Sequence, residues 1–318
     1  MDLNNLEVEK NLKIVYMGTP DFSATVLKGL IENYKVRAVV SQPDRMVGRN
    51  REVRFTPVKQ VANDNTILVI QPEKIKEAVD EVLAFEPDLI ITCAYGQIIP
   101  SILLDTPKYK AINVHASLLP KLRGGSPLHK CLIDGYKETG VTIMYMAPGM
   151  DDGDMIKQRK IEILEHYNVG DIHNKLSIIG SELLLETLPS IFEGTNERIK
   201  QDESEVTFAY NIKKEEEKLD FTKTAIEVHN HIRGLYPFPT SYTTLNGEII
   251  KICESRIGEK KNGECGEIVS VYEDGLGVMC QDKEVIISKL KPAGKKEMSA
   301  RDFVNGRGKN KLLGEKLC

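Results

Sequence analysis

The sequence predicts an α/β protein in which a Rossmann-like, doubly wound and mostly parallel sheet is followed by a small OB-like β-barrel. The first observation is length, because 318 residues exceed one domain of ordinary size. The second is that short β-rich runs recur every 20 to 30 residues early in the chain, with helical patterns between them. The third is a series of strand-like segments 8 to 15 residues apart near the C-terminus.

The early strand-like runs are apolar along almost their whole length. They lie at 12–18, 36–42, 66–71, 88–94 and 111–117. Continuous apolar strands are typical of sheets buried on both faces. Asp21 can cap a helix that runs to about residue 33, and the pattern at 74–85 predicts another helix. Strands that alternate with helices in this way favour parallel β-α-β units.

The later elements complete the first domain and begin the second. A β pair at 141–147 and 155–163 precedes an amphipathic helix from about Gly170 to Phe192. A polar stretch then precedes a helix at 224–235, which ends before Pro237. The organisation we expect is an N-terminal extension at 1–11, a catalytic domain at 12–193, a linker at 194–207 and an OB-like domain at 208–318.

Composition excludes several classes of protein. Hydrophobic residues make up 41% and charged residues 28% of the chain, as in soluble globular proteins and unlike disordered or collagen-like chains. The chain has neither a long apolar run nor a leader-like N-terminus, so we expect a cytoplasmic protein without a membrane span. The six cysteines include no C-x-x-C pair, which favours reduced thiols.

The net charge of −4 conceals an uneven distribution. Residues 286–318 contain nine basic and three acidic residues, a local charge of +6. The segment at 42–59, which follows the second predicted strand, is also rich in arginine. Most charged runs are simply solvated surface, but basic segments can also contact phosphate groups. A nucleic-acid partner is therefore compatible with the acidic total.

The stretch at 112–135 carries the residues that most clearly suggest chemistry. Asn113 and His115 are two apart on a predicted strand, so both side chains emerge on one face near its carboxyl end. Open α/β sheets place their ligands at that edge. Asp151 comes at the end of the next element, within DDGD.

An amide, an imidazole and a carboxylate that converge in a cleft suit acyl transfer to an amine. The amide stabilises an oxyanion, the imidazole moves protons and the carboxylate orients the imidazole. No activated Ser or Cys is evident nearby, which favours direct transfer over a covalent intermediate. From spacing alone, Asn113 and His115 could instead be satisfied polar groups at a strand end, and Asp151 a turn residue or part of a cation site. The histidines lack H-E-x-x-H spacing, so we expect no metal.

Longer segments carry a resemblance through both predicted domains. They are VYMGTPDF, QPDRMVGR, AYGQIIP, NVHASLLPKLRGGSP, ETGVTIMYMAPGMDDGDM, KKEEEKLDF, HNHIRGLYPFP and LKPAGKKEMSARDF. Both the segments and their order along residues 12–307 closely resemble those of the bacterial methionyl-tRNA formyltransferases. The resemblance implies the formyltransferase fold, 10-formyltetrahydrofolate as the formyl donor, initiator Met-tRNA as the acceptor, and no metal. It also implies a monomer.

The resemblance assigns roles to particular residues. The catalytic Asn, His and Asp of the family match Asn113, His115 and Asp151. The residues implied to bind folate are Ser117, Leu118, Leu119 and Pro120 of the S-L-L-P turn, with Ile91, Thr92, Cys93, Ala94 and Tyr95. The residues implied to bind tRNA are Arg45, Arg49, Arg51 and Arg54 in the arginine-rich loop, with Lys289, Lys291, Lys295 and Lys296 in the tail.

Some positions depart from the common pattern of the family. Leu122 stands where Trp is frequent, Ser126 where a small apolar residue is usual, Asp152 where Thr is usual, and Phe238 where Trp is usual. Asp152 adds a negative charge beside Asp151. Two alternatives stay open: a formyltetrahydrofolate-dependent transferase acting on a nucleotide sugar or small amine, and a folate- or tRNA-binding protein without turnover.

Overall fold

The computed structural model describes residues 12–47 and 52–318, and the chain forms two compact units. The first unit contains the described residues up to Pro127, together with Thr139–Ile161 and His173–Tyr210. The second contains Leu128–Glu138, Glu162–Ile172 and Asn211–Cys318.

The first unit is built on a sheet that has seven strands among the described residues. In chain order they are β1 (Ile14–Gly18), β2 (Val36–Val40), β5 (Leu68–Ile70), β6 (Leu89–Cys93), β7 (Ala111–His115), β8 (Glu138–Tyr145) and β9 (Met155–Glu162). Their spatial order is β5-β2-β1-β6-β7-β8-β9. Strands β5, β2, β1, β6 and β7 pair in parallel, and β8 pairs antiparallel to β7. The predicted Rossmann-like, mostly parallel sheet is confirmed.

The strand order defines where a ligand crevice lies. From β1 the chain proceeds through β2 to β5 on one side and returns to β6 and β7 on the other. Such a reversal leaves a crevice at the carboxyl ends of the central strands. Asn113 and His115 lie in the last three residues of β7, at this edge of the sheet.

The helices that lie wholly or mostly in the first unit are α1 (Asp21–Asn33), α2 (Pro57–Asp64), α3 (Val79–Leu83), α4 (Ser101–Asp105) and α6 (Val169–Glu193). A further helix, α5 (Pro127–Ile133), precedes α6 in the chain and belongs to the second unit from Leu128 onward. Pro20 occupies the N-cap position of α1, and Asp21 is its first helical residue. A Cβ on Gly18 would lie 1.8 Å from Ser23 Oγ, so the tight turn from β1 into α1 requires glycine.

The arginine-rich segment contains a short hairpin. Its strands are β3 (Arg45–Val47) and β4 (Glu52–Arg54), which pair antiparallel. Thr56 then caps α2 by accepting a hydrogen bond from the N–H of Lys59.

The second unit contains an antiparallel sheet. Its strands are β10 (Tyr242–Leu245), β11 (Glu248–Ile257), β12 (Ile268–Val271), β13 (Leu276–Met279), β14 (Glu284–Pro292) and β15 (Met298–Ser299). The order is β10-β11-β14-β13-β12, with β15 paired to β14. The last residues join its two edges: Cys318 exchanges backbone hydrogen bonds with Thr244 in β10, and the N–H of Leu317 donates to the carbonyl oxygen of Gly266 ahead of β12. These contacts close the curled sheet, in agreement with the predicted barrel-like domain.

The helices of the second domain pack on this sheet. They are α7 (Ala225–Leu235), α8 (Ala300–Arg307) and α9 (Lys309–Leu312). A capping box formed by Thr224 and Glu227 begins α7. Apolar side chains of α7, including Val228 and Ile232, join the buried core of the sheet. The helix expected at 224–235 is therefore found with nearly the same bounds.

The segment interpreted from sequence as a linker, 194–207, has defined contacts in the first unit. Ile199 forms a two-way backbone pair with Met155, and Arg198 pairs with Asp154 at 3.0 Å. The polar sequence of this segment predicts a linker, but the segment lies against the β-sheet because its backbone and side chains find hydrogen-bond and ion-pair partners there. The predicted extension at 1–11 lies outside the described residues, and the domain boundaries remain a prediction. No helix within the described chain is long and apolar enough to cross a membrane.

Candidate active site

The structure brings Asn113, His115 and Asp151 together at the carboxyl end of β7. Asn113 is half-buried, and the His115 side chain is only 6% exposed. Nδ2 of Asn113 donates a hydrogen bond of 3.4 Å to Oδ1 of Asp151, and Nδ1 of His115 lies 3.6 Å from Oδ2. Two residues on one strand and a third from the loop between β8 and β9 therefore share one polar cluster.

Thr92 on the neighbouring strand fixes the amide of Asn113. Its hydroxyl lies 2.9 Å from Oδ1 of Asn113 and 3.1 Å from the carbonyl oxygen of Ile112. Thr92 and Asn113 are direct partners in the register of β6 and β7. With Oδ1 held as an acceptor, the two Nδ2 hydrogens remain to donate on the side of Asp151.

Both ring nitrogens of His115 face acceptors. Nε2 lies 3.1 Å from the carbonyl oxygen of Leu122, opposite the side on which Nδ1 faces Asp151. Leu122 has a φ of +62°, a left-handed conformation that is uncommon for a residue with a side chain. A ring that carries a proton on each nitrogen can donate toward both acceptors.

The carboxylate of Asp151 is also held by the glycine loop. The N–H of Gly124 donates to Oδ2 of Asp151 at 2.9 Å. Asp151 itself has a φ of +49°. A Cβ on the nearby Gly153 would lie 2.0 Å from the carbonyl oxygen of Tyr145, so this close approach requires glycine. Asp152 is exposed.

The S-L-L-P turn is tied to the sheet beside this cluster. Thr142 Oγ1 donates to the carbonyl oxygen of Ser117 at 2.7 Å and accepts from the N–H of Leu119 at 3.2 Å. Gln158 Nε2 donates to the carbonyl oxygen of Leu119 at 2.8 Å. The peptide between Leu119 and Pro120 is cis. Leu118 belongs to the same ordered turn.

The segment 91–95 offers a ligand less surface than the sequence suggested. Ile91 and Cys93 are fully buried, and Thr92 and Tyr95 are almost so. Ala94, which has a φ of +47°, is the exposed residue of the five. Burial raises the pKa of the Cys93 thiol to about 12, so this cysteine is not a thiolate nucleophile. Folate contact by this segment remains a prediction, and its exposed part is the strand end at Ala94.

The predicted tRNA residues have different surroundings. Arg45 and Arg54 are exposed and face each other in the register of the β3–β4 hairpin. Like charges in directly opposite positions repel, which favours an anion between or beside them. Within the described side chains neither arginine has an ion-pair partner. Arg49 and Arg51 lie outside the described residues.

The lysines of the tail also differ from one another. Lys289 pairs with Glu254 at 3.1 Å and Glu297 at 2.9 Å. Hydrogen bonds to these carboxylates raise the pKa of Lys289. The other predicted contacts, all exposed, are Lys291, Lys295 and Lys296. These three exposed lysines are therefore better placed than Lys289, which is engaged by two carboxylates, to contact a phosphate.

The sequence did not indicate every residue that holds the site. The carbonyl oxygen of Leu122 contacts the polar cluster of Asn113, His115 and Asp151, and the side chain of Gln201 contacts the loop that carries Asp151. Leu122 was noted only as a departure from a family pattern, and Gln201 lies in the segment interpreted as a linker. No spacing in the sequence signals either contact. Among the described residues no group of three or more metal-binding side chains is present.

Comparison with protein families agrees with the fold. Residues 11–188 match the model of a formyl transferase, and residues 211–308 match the model of a formyl transferase C-terminal domain. The chain is therefore a formyl transferase. A methionyl-tRNA formyltransferase from Geobacillus sp. (strain WCH70) is 49% identical over 96% of this chain and 98% of that protein. One from Bacillus thuringiensis subsp. konkukian (strain 97-27) is 50% identical with the same coverage. The chain belongs to the methionyl-tRNA formyltransferase family.

Solved structures share the fold. An N-formyltransferase from Helicobacter canadensis, in complex with folinic acid and dTDP-3-aminofucose, has a TM-score of 0.66 and 22% identity, covering 87% of this chain and 99% of that one. A methionyl-tRNA formyltransferase from Clostridium thermocellum has a TM-score of 0.56 and 17% identity, covering 88% and 98%. At these identities the likeness concerns the fold alone.

Proposed function

We propose that this protein transfers the formyl group of 10-formyltetrahydrofolate to the amino group of methionine on initiator Met-tRNA. The observation that carries the proposal is the convergence of Asn113, His115 and Asp151 at the carboxyl end of β7. Support for the acceptor comes from relatives at 49% and 50% identity that are named methionyl-tRNA formyltransferases.

The reaction exchanges one C–N bond for another. The neutral amine of the methionyl group attacks the formyl carbon, and a new C–N bond forms as the carbonyl becomes an oxyanion. The intermediate then collapses, the bond from the formyl carbon to N10 of the folate breaks, and N10 gains the proton that the amine loses. The products are the formylated amine and tetrahydrofolate, with no net oxidation and no added co-reactant.

Asn113 and His115 stabilise the oxyanion in this scheme. The amide of Asn113 is oriented by Thr92, so its Nδ2 hydrogens are available on the side of the cluster. A protonated His115 adds a positive charge. Donors that are already in place when negative charge develops lower the barrier because they need no reorganisation.

Asp151 orients His115 and balances its charge. Its carboxylate is fixed by the N–H of Gly124 and faces Nδ1 of the imidazole. A carboxylate in that position favours the imidazolium and can accept the amine proton on its way to N10. The buried Cys93 thiol, with its pKa raised to about 12, is consistent with direct transfer.

The crevice at the strand ends fits a folate in its chemistry. A pterin requires a few well-placed hydrogen bonds and an apolar slot. The half-buried Leu118 and Pro120 of the turn offer apolar side chains, and the exposed strand end at Ala94 offers backbone groups. We propose contact through these two segments.

The tRNA would be held chiefly by basic side chains. Arg45 and Arg54 of the hairpin, with Lys291, Lys295 and Lys296, are exposed and suited to phosphate contact. We also propose that Arg49, Arg51 and Lys289 contribute to tRNA binding. We further propose that the protein is cytoplasmic and that it is a monomer. Size-exclusion chromatography with light scattering tests the last of these.

Acceptor choice is the decisive experiment for this function. Purified protein is given labelled 10-formyltetrahydrofolate with initiator Met-tRNA, elongator Met-tRNA, free methionine or a dTDP-amino sugar. Transfer to initiator Met-tRNA at a rate at least about 100-fold above the other acceptors supports the proposal. Faster transfer to the amino sugar, or folate binding without transfer to any acceptor, contradicts it.

A further inference from the structure

We propose that Gln201 is a positioning residue that, with Arg123, holds Asp151 in the conformation required for formyl transfer. The inference rests on the proposed function, because its readout is the rate of that reaction. It assigns a catalytic role, through Asp151, to a segment that the sequence suggested was only a linker.

Gln201 contacts the main chain of the catalytic loop. Its Nε2 donates to the carbonyl oxygen of Asp151 at 2.7 Å and to that of Gly153 at 2.8 Å. Both hydrogens of the amide are thereby used on one short loop. The acceptor atom of Gln201, Oε1, is occupied from the other side by Nε of Arg123 at 3.0 Å.

Arg123 connects this amide to the carboxylate of Asp151. The guanidinium of Arg123 is 5% exposed and also pairs with Glu203 at 2.8 Å. The next residue, Gly124, donates its N–H to Oδ2 of Asp151. The contacts form a closed ring that runs from the Asp151 carbonyl to Gln201, to Arg123, to Gly124 and back to the Asp151 carboxylate.

The ring acts on a residue whose backbone conformation is unfavourable. Asp151 has a φ of +49°, a left-handed conformation that is uncommon outside glycine, although aspartate adopts it more readily than most residues. The ring fixes both ends of the residue, its carbonyl and its carboxylate. The carboxylate in turn faces Nδ1 of His115 at 3.6 Å.

Gln201 is itself held in place by its neighbours. Ile199 and Met155 exchange backbone hydrogen bonds of 2.8 Å two residues away, and Arg198 pairs with Asp154. On the other side, the backbone of Arg123 pairs with Thr207 and Ala209. The amide therefore presents its donors from a fixed backbone, as a positioning role requires.

The test replaces the amide with a side chain of similar volume that cannot donate. In Gln201→Met the ring is opened while packing is largely kept. The matched control is Lys200→Met, which places the same side chain at the exposed neighbouring position. A second variant, Gln201→Glu, keeps an acceptor for Arg123 and removes both donors. Each full-length protein is assayed for kcat and for KM of both substrates.

We expect kcat of Gln201→Met to fall on the order of 10- to 100-fold, because small displacements of catalytic groups carry losses of that size. KM for both substrates stays within about threefold, as expected when an interaction acts mainly in the transition state. Lys200→Met matches the wild type.

A merely structural role would give a different pattern. If Gln201→Met and Gln201→Glu retain wild-type kcat, or if KM rises in step with the fall in kcat, the proposal is overturned. It is also overturned if their activity falls only in proportion to the folded fraction measured by circular dichroism. Failure of the proposed function gives a different result from failure of this inference. If the proposed function is wrong, the wild type does not formylate Met-tRNA. If only this inference is wrong, the wild type is active and the Gln201 variants are as active as the wild type.

Discussion

The hydroxyl of Thr92 lies 2.9 Å from Oδ1 of Asn113, its direct partner on the adjacent parallel strand. The sequence placed Thr92 among residues that would bind folate. In the structure the Thr92 side chain is almost completely buried, and its hydroxyl is directed at the amide of Asn113. A residue inside the sheet thus decides which end of the Asn113 amide is free to donate.

Removal of that hydroxyl should slow catalysis without loosening substrate binding. In Thr92→Val the shape is kept but Oδ1 of Asn113 loses its donor, so the amide can rotate and present the wrong atom. We expect kcat to fall about 10-fold or more, since one misdirected oxyanion donor has an effect of this order or larger. Stopped-time formylation assays measure it. Thr92→Ser, which keeps the hydroxyl, should stay near wild type; equal rates in the Ser and Val variants would contradict the assignment.

Loss of an exposed hairpin arginine should weaken tRNA binding in a salt-dependent way. For Arg45→Ala or Arg54→Ala we expect the slope of log K against log salt to decrease by about one per arginine, as for a lost phosphate contact. Filter binding from low to high salt gives the slope, and folate affinity should not change. Arg256→Ala is the control, because Arg256 already pairs with Asp274 at 2.8 Å. Equal slopes for Arg45→Ala and the wild type would exclude Arg45 from the interface.

His229 should make the protein less stable in acid. Burial, joined by the positive charge of Arg233 and opposed by Glu165, lowers the pKa of His229 to about 4. Because an unfolded histidine titrates near 6.5, the unfolded state binds the extra proton between these values and stability falls as pH falls. From about pH 7 to pH 5 the expected loss is on the order of 2 kcal/mol.

The variant His229→Gln isolates this contribution. Its amide can keep a hydrogen bond to Ser255, which lies 3.0 Å from Nδ1 of His229. Burial also lowers the pKa of His231, so part of the acid loss should persist in the variant. Urea unfolding at several pH values measures both proteins. Parallel curves of unfolding free energy against pH would show that His229 does not contribute.

Leu317 should stabilise the closed sheet of the second unit. Leu317 is only 5% exposed and belongs to the core of this unit. Its backbone forms a β-bridge with Leu245, and its N–H donates to the carbonyl oxygen of Gly266. Leu317→Ala should lower the free energy of unfolding by about 2 to 4 kcal/mol, as for other buried leucines. Denaturant melts measure the change. The adjacent Lys316→Ala, at an exposed ion pair, should have little effect, and similar stabilities of the two variants would argue against closure through this segment.

Sequence reasoning could predict the fold class and the residue types of the site. Apolar runs at regular spacing indicate a parallel sheet, and the two-residue spacing of Asn113 and His115 places both at one strand end. Helix α7 was predictable from its apolar period and the capping residue Thr224. These features depend on local patterns, which a sequence displays directly.

Contacts between distant parts of the chain could not be predicted in the same way. Gln201 is 50 residues from Asp151, and its polar neighbours are as typical of a solvated linker as of a segment that lies on a sheet. The burial of Ile91 and Cys93 could not be predicted from the motif either, because a motif does not show which atoms face a ligand. Such relationships arise only when the tertiary fold is formed.

The central claim is that Asn113, His115 and Asp151 act together on the transferred formyl group. Single-turnover formylation of initiator Met-tRNA, with enzyme and labelled 10-formyltetrahydrofolate in excess, tests it most directly because product release does not enter the rate. We predict that Asn113→Ala and His115→Ala each lower the single-turnover rate by at least about 100-fold while the folded fraction is unchanged. A rate within about threefold of wild type for either variant would contradict the account.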